Sequence, residues 1–204
     1  MKKETFFAEV IESSLTGWLS QSWQWDYFPT FGSLLTIESA KRTIFGIVYQ
    51  VQTGSMDPMR YPFPYQKTEA ELLQEQPQIF EFLKTTFSCV AVGYQEQGVF
   101  YYLVCPEPPK IHSFISTPSN EQCKNFFSST RYLHLLFTYS QIFNIDELML
   151  ALLKQYAALN ILSELSFHAF MQTYSLLAGN DYRRLKLFLQ RAEHMARTSQ
   201  ILDF

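Results

Sequence analysis

The chain has 204 residues, of which 47% are hydrophobic and 17% charged. That balance excludes a chain disordered as a whole, because its apolar surface suffices to offset chain entropy. A formal net charge of −3 excludes a uniformly basic, phosphate-coating protein and leaves room only for a local basic patch.

Aromatic residues reach 17%, led by 19 Phe and 12 Tyr. They can build a large core, or a core plus an adhesive surface. The length suits one large domain or two small ones. Phe6, Ala8 and Val10 alternate with Phe7, Glu9 and Ile11, which predicts a strand. From Leu19, aromatic Trp23, Trp25 and Tyr27 alternate with polar Ser20, Ser22, Gln24 and Asp26. That pattern predicts a second strand, half-buried, with one aromatic face. After Pro29 and Gly32, Ser33 to Glu38 can form a third. Arg42 to Thr53 is the clearest strand, rich in β-branched and aromatic residues, with a bulge or tight curvature expected at Gly46.

Gly54 to Gln66 holds three prolines and reads as a loop. Thr68 to Leu83 predicts one or two helical turns, restarted at Pro77. Phe87 to Tyr94 and Val99 to Cys105 flank Gln95-Glu96-Gln97-Gly98 and predict a hairpin. Pro106, Pro108 and Pro109 are expected to end the sheet, since proline cannot donate to a ladder.

Past Pro118 the period changes from 2 to 3.6. Ser119 and Asn120 are candidate caps for a short helix to Phe127, and Arg131 to Phe143 continues helically. Ile145 to Leu159 carries an apolar stripe at spacings of three and four. A second stripe runs through Leu162, Leu165, Phe170, Met171, Tyr174 and Leu177. Gly179 fits a C-cap, and Asn180 or Asp181 the next N-cap. Leu185, Phe188, Leu189, Ala192 and Met195 mark a last helix. The predicted class is α+β. A small antiparallel β-barrel of about six strands occupies residues 1–118, and a helical region packed on it occupies 119–204.

No GxxxxGK[ST], GxGxxG, HExxH or GxSxG motif is present. No cofactor or metal site is expected: none of His112, His134, His168 and His194 stands four residues from another His or Cys, and His134 and His168 read as core or boundary side chains. Cys89 and Cys105 sit on the two hairpin arms and could approach each other; with Cys123 the count is odd and gives no disulfide framework, so buried free thiols are expected. No apolar signal core opens the chain and no run is long enough to span a bilayer, so a soluble cytoplasmic protein is expected.

Two groups of side chains are candidates for function. Asp57 and Arg60, with Tyr61, Phe63 and Tyr65, lie in the proline-rich loop. They read either as turn chemistry or as partner recognition by a loop on a rigid scaffold. Arg183, Arg184, Lys186, Arg191 and Arg197 make the last helix basic, as a solvated face or as a nucleic-acid contact.

Phe7-Ala8-Glu9-Val10-Ile11-Glu12-Ser13-Ser14, Gly32-Ser33-Leu34-Leu35 and Phe45-Gly46-Ile47-Val48-Tyr49 precede Thr53-Gly54-Ser55-Met56-Asp57-Pro58-Met59-Arg60. Thr86-Phe87, Val92-Gly93-Tyr94 and Pro106-Glu107-Pro108-Pro109 follow, before Ile111-His112-Ser113. Together these segments resemble the HerA–ATP synthase barrel (HAS-barrel) family over roughly residues 5–115. The resemblance implies a barrel that helps subunits associate beside a nucleotide-hydrolysing motor. This chain has no phosphate loop and continues into helices, so the resemblance implies a stand-alone barrel.

The sequence therefore predicts a non-enzymatic protein-interaction or assembly module, with a protein partner or a homo-oligomer formed through the barrel. The alternatives are an accessory nucleic-acid binder using the last helix, and an enzyme with an unrecognised site at Asp57, Arg60 or His112.

Overall fold

Strand-forming residues fill the first half, and they close on themselves. A computed structural model describes residues 6–57, 59, 62–179 and 181–198, with side chains through 195. The strands are β1 (Phe6–Ser13), β2 (Gly17–Ser22), β3 (Leu34–Glu38), β4 (Arg42–Ser55), β5 (Leu83–Glu96), β6 (Val99–Tyr101) and β7 (Phe114–Ser116). Every pairing is antiparallel. The ladder runs β2-β1-β7-β3-β4-β5, and β2 also pairs with β5, so six strands form a closed barrel. Short β6 extends the sheet beyond it as the second arm of the β5 hairpin. Closure leaves the six barrel strands without a free edge.

Alternation then divides the side chains. Phe7, Val10, Trp18, Leu35, Ile37, Val48, Phe87 and Cys89 belong to the core enclosed by the barrel. Leu34, Phe45, Ile47, Val90 and Val92 face the other way and join the helical core. The bulge expected at Gly46 is present, as a register shift between Phe45 and Gly46. A Cβ at Gly46 would lie 2.2 Å from Cη2 of Trp18. The absent side chain is what lets the indole cross the barrel.

Several expectations for this half need correction. The second strand stops at Ser22, and its inward positions are Trp18, Ser20 and Ser22 rather than an aromatic row. Ser20 stands opposite Phe87, whose ring stacks on Phe7 inside the barrel. Trp23, Trp25 and Tyr27 fall in the connection that follows. The hairpin turn is tighter than expected, two residues between Glu96 and Val99. The prolines at 106, 108 and 109 do not end the sheet. The chain returns after them as β7, which fits between β1 and β3 and completes the barrel. Only three residues long, β7 gives the sequence pattern almost no period to show.

Two short helices, α1 (Glu69–Glu75) and α2 (Gln78–Glu81), lie in the β4–β5 connection. After the barrel come α3 (Asn120–Phe127), α4 (Tyr132–Thr138), α5 (Ile145–Ala158), α6 (Glu164–Ala178) and α7 (Tyr182–Thr198). Ser119 caps α3 with a reciprocal Gln122 bond, and Gly179 ends α6 at φ 69°. Asp181 Oδ1 accepts from the Arg184 N–H, as an N-cap does.

The helices pack on the barrel through Phe126, whose ring lies 4.9 Å from Phe45 and 5.3 Å from Tyr102. Behind it the Tyr132 and Tyr156 hydroxyls bond each other at 2.9 Å, and burial pushes both phenols up. Helix α4 is shorter than expected, and Tyr139 to Phe143 form turns. Leu165 is exposed, because Phe167, Phe170, Met171 and Tyr174 set the buried face of α6. His134 and His168 are also exposed, on the sides of α4 and α6 opposite their buried residues.

Candidate functional site

β2 and β4 both run toward the end of the barrel where β5 begins. Gln21 stands opposite Thr86, and Ser55 opposite Leu83. The connections 23–33 and 56–82 therefore leave the same end. Between them they carry Trp23, Tyr27, Phe28, Met59, Phe63 and Tyr65, all exposed. Tyr27 keeps 60% of its surface in solvent, Phe63 70% and Met59 89%. Exposed aliphatic side chains such as Leu103, Leu165 and Leu176 are scattered over the rest of the surface, whereas most of the exposed aromatic rings gather on these two connections.

The two connections are tied together. Trp25 stacks on Phe80 of α2 with ring centres 5.5 Å apart. The Thr85 hydroxyl donates to the Trp25 carbonyl, and the Met56 N–H donates to the Phe82 carbonyl at 2.7 Å. Tyr27 meets the edge of Phe7 at 5.7 Å. The exposed rings thus stand on backbone anchored to the barrel rim.

Asp57 does turn chemistry: its Oδ1 accepts the Met59 N–H at 2.9 Å, and its own N–H donates to Ser55 Oγ at 3.1 Å. Phe63 and Tyr65 pack edge to face at 5.7 Å and remain exposed. Arg60 and Tyr61 lie outside the described residues. Sequence reasoning missed Trp23 as a surface residue, because the alternation of 19–27 reads as a strand.

The basic helix is less free than its sequence suggests. Arg184 makes a bidentate contact with Asp146 in the first turn of α5, at 2.9 and 2.6 Å, and Tyr174 donates to the same carboxylate at 2.8 Å. Partial burial pushes the Asp146 carboxyl up, but the Arg184 and Tyr174 bonds outweigh it and hold it below the usual range. Arg191 pairs with Glu147 at 2.7 Å. Arg183 and Lys186 are exposed and have no partner among the described residues. The Arg197 side chain lies outside the described ones.

His112 pairs with Glu9 at 3.2 Å on a different connection from Asp57. All three cysteines are buried and free; Cys89 and Cys105 both lie in the barrel core, and burial pushes the Cys89 thiol well up. Among the described residues no group of three His, Cys, Asp or Glu side chains could hold a metal ion, and no helix is long and apolar enough to cross a membrane.

No protein-family model matches the chain, and no curated protein matches it either.

Proposed function

We propose that this chain is a protein-binding module, a HAS-barrel-like scaffold that presents an aromatic end to a protein partner or to a second copy of itself. The observation that supports this reading is the set of exposed rings on connections 23–33 and 56–82. Protein interfaces favour Tyr, Trp, Phe and Met, and a rigid scaffold carrying variable loops is the common way to present them. Buried free thiols suit a reducing compartment such as the cytoplasm. We propose no enzymatic role: Asp57 is engaged in a turn, and it stands on a different connection from His112.

Replacing Phe28 and Phe63 together by Ser tests the reading. Both are exposed, so unfolding should shift by about 0.5 kcal/mol or less. Self-association in sedimentation velocity, or capture of the native partner, should be lost. Retained association with intact folding would sink the proposal. Nucleic-acid binding is the second reading, resting on Arg183 and Lys186, which have no partner among the described residues. It requires affinity that falls with salt and is abolished in the Arg183→Ala, Lys186→Ala double variant.

A further inference from the structure

A cleft of about 280 Å³ lies where the barrel wall meets the helical region. Its barrel side is the outer surface around Leu19, Tyr49 and Ser88, on β2, β4 and β5. Its other wall is the turn segment between α4 and α5, with Tyr139 and Phe143. Tyr49 and Phe143 pack at 5.1 Å, so the two walls are in register rather than merely adjacent. Glu12, beside the β1–β2 turn, completes the lining.

The chemistry of this lining is one-sided. The hydroxyls of Tyr49, Tyr139 and Ser88 make no hydrogen bond within the described chain, and Glu12 makes no ion pair. No Lys, Arg or His lines the cleft. A phosphate or carboxylate would find no counter-charge there. A cation would find a carboxylate, hydroxyl oxygens that accept N–H bonds, and aromatic faces that attract positive charge. The volume matches roughly nine water-sized groups, the scale of a small amine rather than of a nucleotide.

We propose that this cleft binds a protonated amine or guanidinium group carried on a short alkyl stem. The group comes either as a free small molecule or as an arginine or lysine side chain of another protein. The inference is independent of the aromatic barrel end, which contributes none of these residues.

Agmatine is a fitting probe, titrated into isotope-labelled full-length protein and followed by amide chemical shifts. Saturable shifts at Gly17, Leu19, Ser88 and Val90 are expected, with inorganic phosphate giving none there. Glu12→Gln removes only a charge on an exposed side chain, keeps the fold's amide spectrum, and should weaken agmatine about tenfold. Tyr139→Ala should weaken it independently. An arginine tripeptide with blocked ends, titrated in parallel, separates the sources. Comparable shifts assign the cleft to a partner's side chain, and shifts with agmatine alone assign it to a free amine. No saturable agmatine shift up to about 10 mM, beyond the usual limit of specific recognition, overturns the proposal. So does unchanged binding in Glu12→Gln, or equal competition by phosphate.

Discussion

Gly46 shows how one missing methyl group shapes the barrel. Its hydrogen faces the Trp18 ring, and the ladder slips beside it. A Cβ there would meet three atoms of that ring, at 2.2, 2.7 and 2.9 Å. The indole cannot retreat easily, since Trp18 is buried among Val48, Cys89 and their neighbours. Gly46→Ala should therefore destabilise by about 1–3 kcal/mol, the usual cost of overpacking a filled core. Thermal unfolding reads this as a fall of several degrees; an unchanged midpoint would show that the ring has room to move. Asp146 is a second residue that matters beyond its size, because it accepts from both Arg184 and Tyr174. Its carboxyl is held below the ordinary value of about 3.9, so its contribution is complete above that value and is lost as pH falls through the lower, folded value. Acid unfolding should be steepened by this group below about pH 4, and Asp146→Asn should flatten that limb. At neutral pH the same variant leaves half-buried Arg184 without its charge partner and should cost about 1–2 kcal/mol. A variant with wild-type stability at both pH values would remove the ion pair from the account.

Asp146 also shows why some elements were legible and others were not. The sequence marks α5 and α7 by stripes of apolar residues, and α7 also by a cap, and both helices form where the stripes lie. It shows the basic face of α7 too, but not that α5 offers it two carboxylates, because the Asp146–Arg184 pairing spans 38 residues and Glu147–Arg191 more still. Long strands are readable from composition rather than from period: β4 is rich in β-branched and aromatic residues and is legible over Arg42–Thr53, whereas only Phe87–Tyr94 of 14-residue β5 stands out. β2 was misplaced because its inward row mixes Trp18 with Ser20 and Ser22, which breaks the rule that inward means apolar. β7 was invisible because three residues carry no period, and its place is fixed by the gap between β1 and β3. For the candidate surface, the aromatic residues allow either a core alone or a core plus an adhesive surface. The structure adds which ones are out and that Trp25 and Phe80 join their two connections. That junction can be probed directly. Trp25→Ala should loosen connection 56–82 without unfolding the barrel, detected as faster amide exchange in α1 and α2 with unchanged exchange in β4 and β5. Uniformly faster exchange would mean that the stack supports the barrel itself.

At the scale of the whole molecule, the barrel encloses a core of its own, while its outer face completes the core of the helices. Barrel residues Leu34, Phe45, Ile47, Val90 and Val92 are buried by helices, and Phe126 carries the central contact. The sequence contains no phosphate loop, the motif whose backbone amides, Lys and metal-binding hydroxyl cradle a transferred phosphoryl group. Purified protein should therefore turn over neither ATP nor GTP; turnover that vanishes on mutating one of its own residues would overturn this. Dependence of the barrel on the helices gives a stronger test. Burying one large aliphatic or aromatic side chain is worth about 1.5–3 kcal/mol. Five of them, uncovered together, represent roughly 8–15 kcal/mol, comparable with the entire stability of an ordinary domain of about 5–15 kcal/mol. A fragment of residues 1–118 should therefore not persist as a native barrel. It should bind a hydrophobic dye, lose near-ultraviolet dichroism and aggregate, although every strand of the closed ladder lies within it. Adding residues 119–204 in trans should restore a single cooperative transition if the helices act only as a cover. A fragment 1–118 that is monomeric, dye-free and cooperatively folded would show instead that the barrel core alone suffices, and that the helical region is an appended unit with a contact surface of its own.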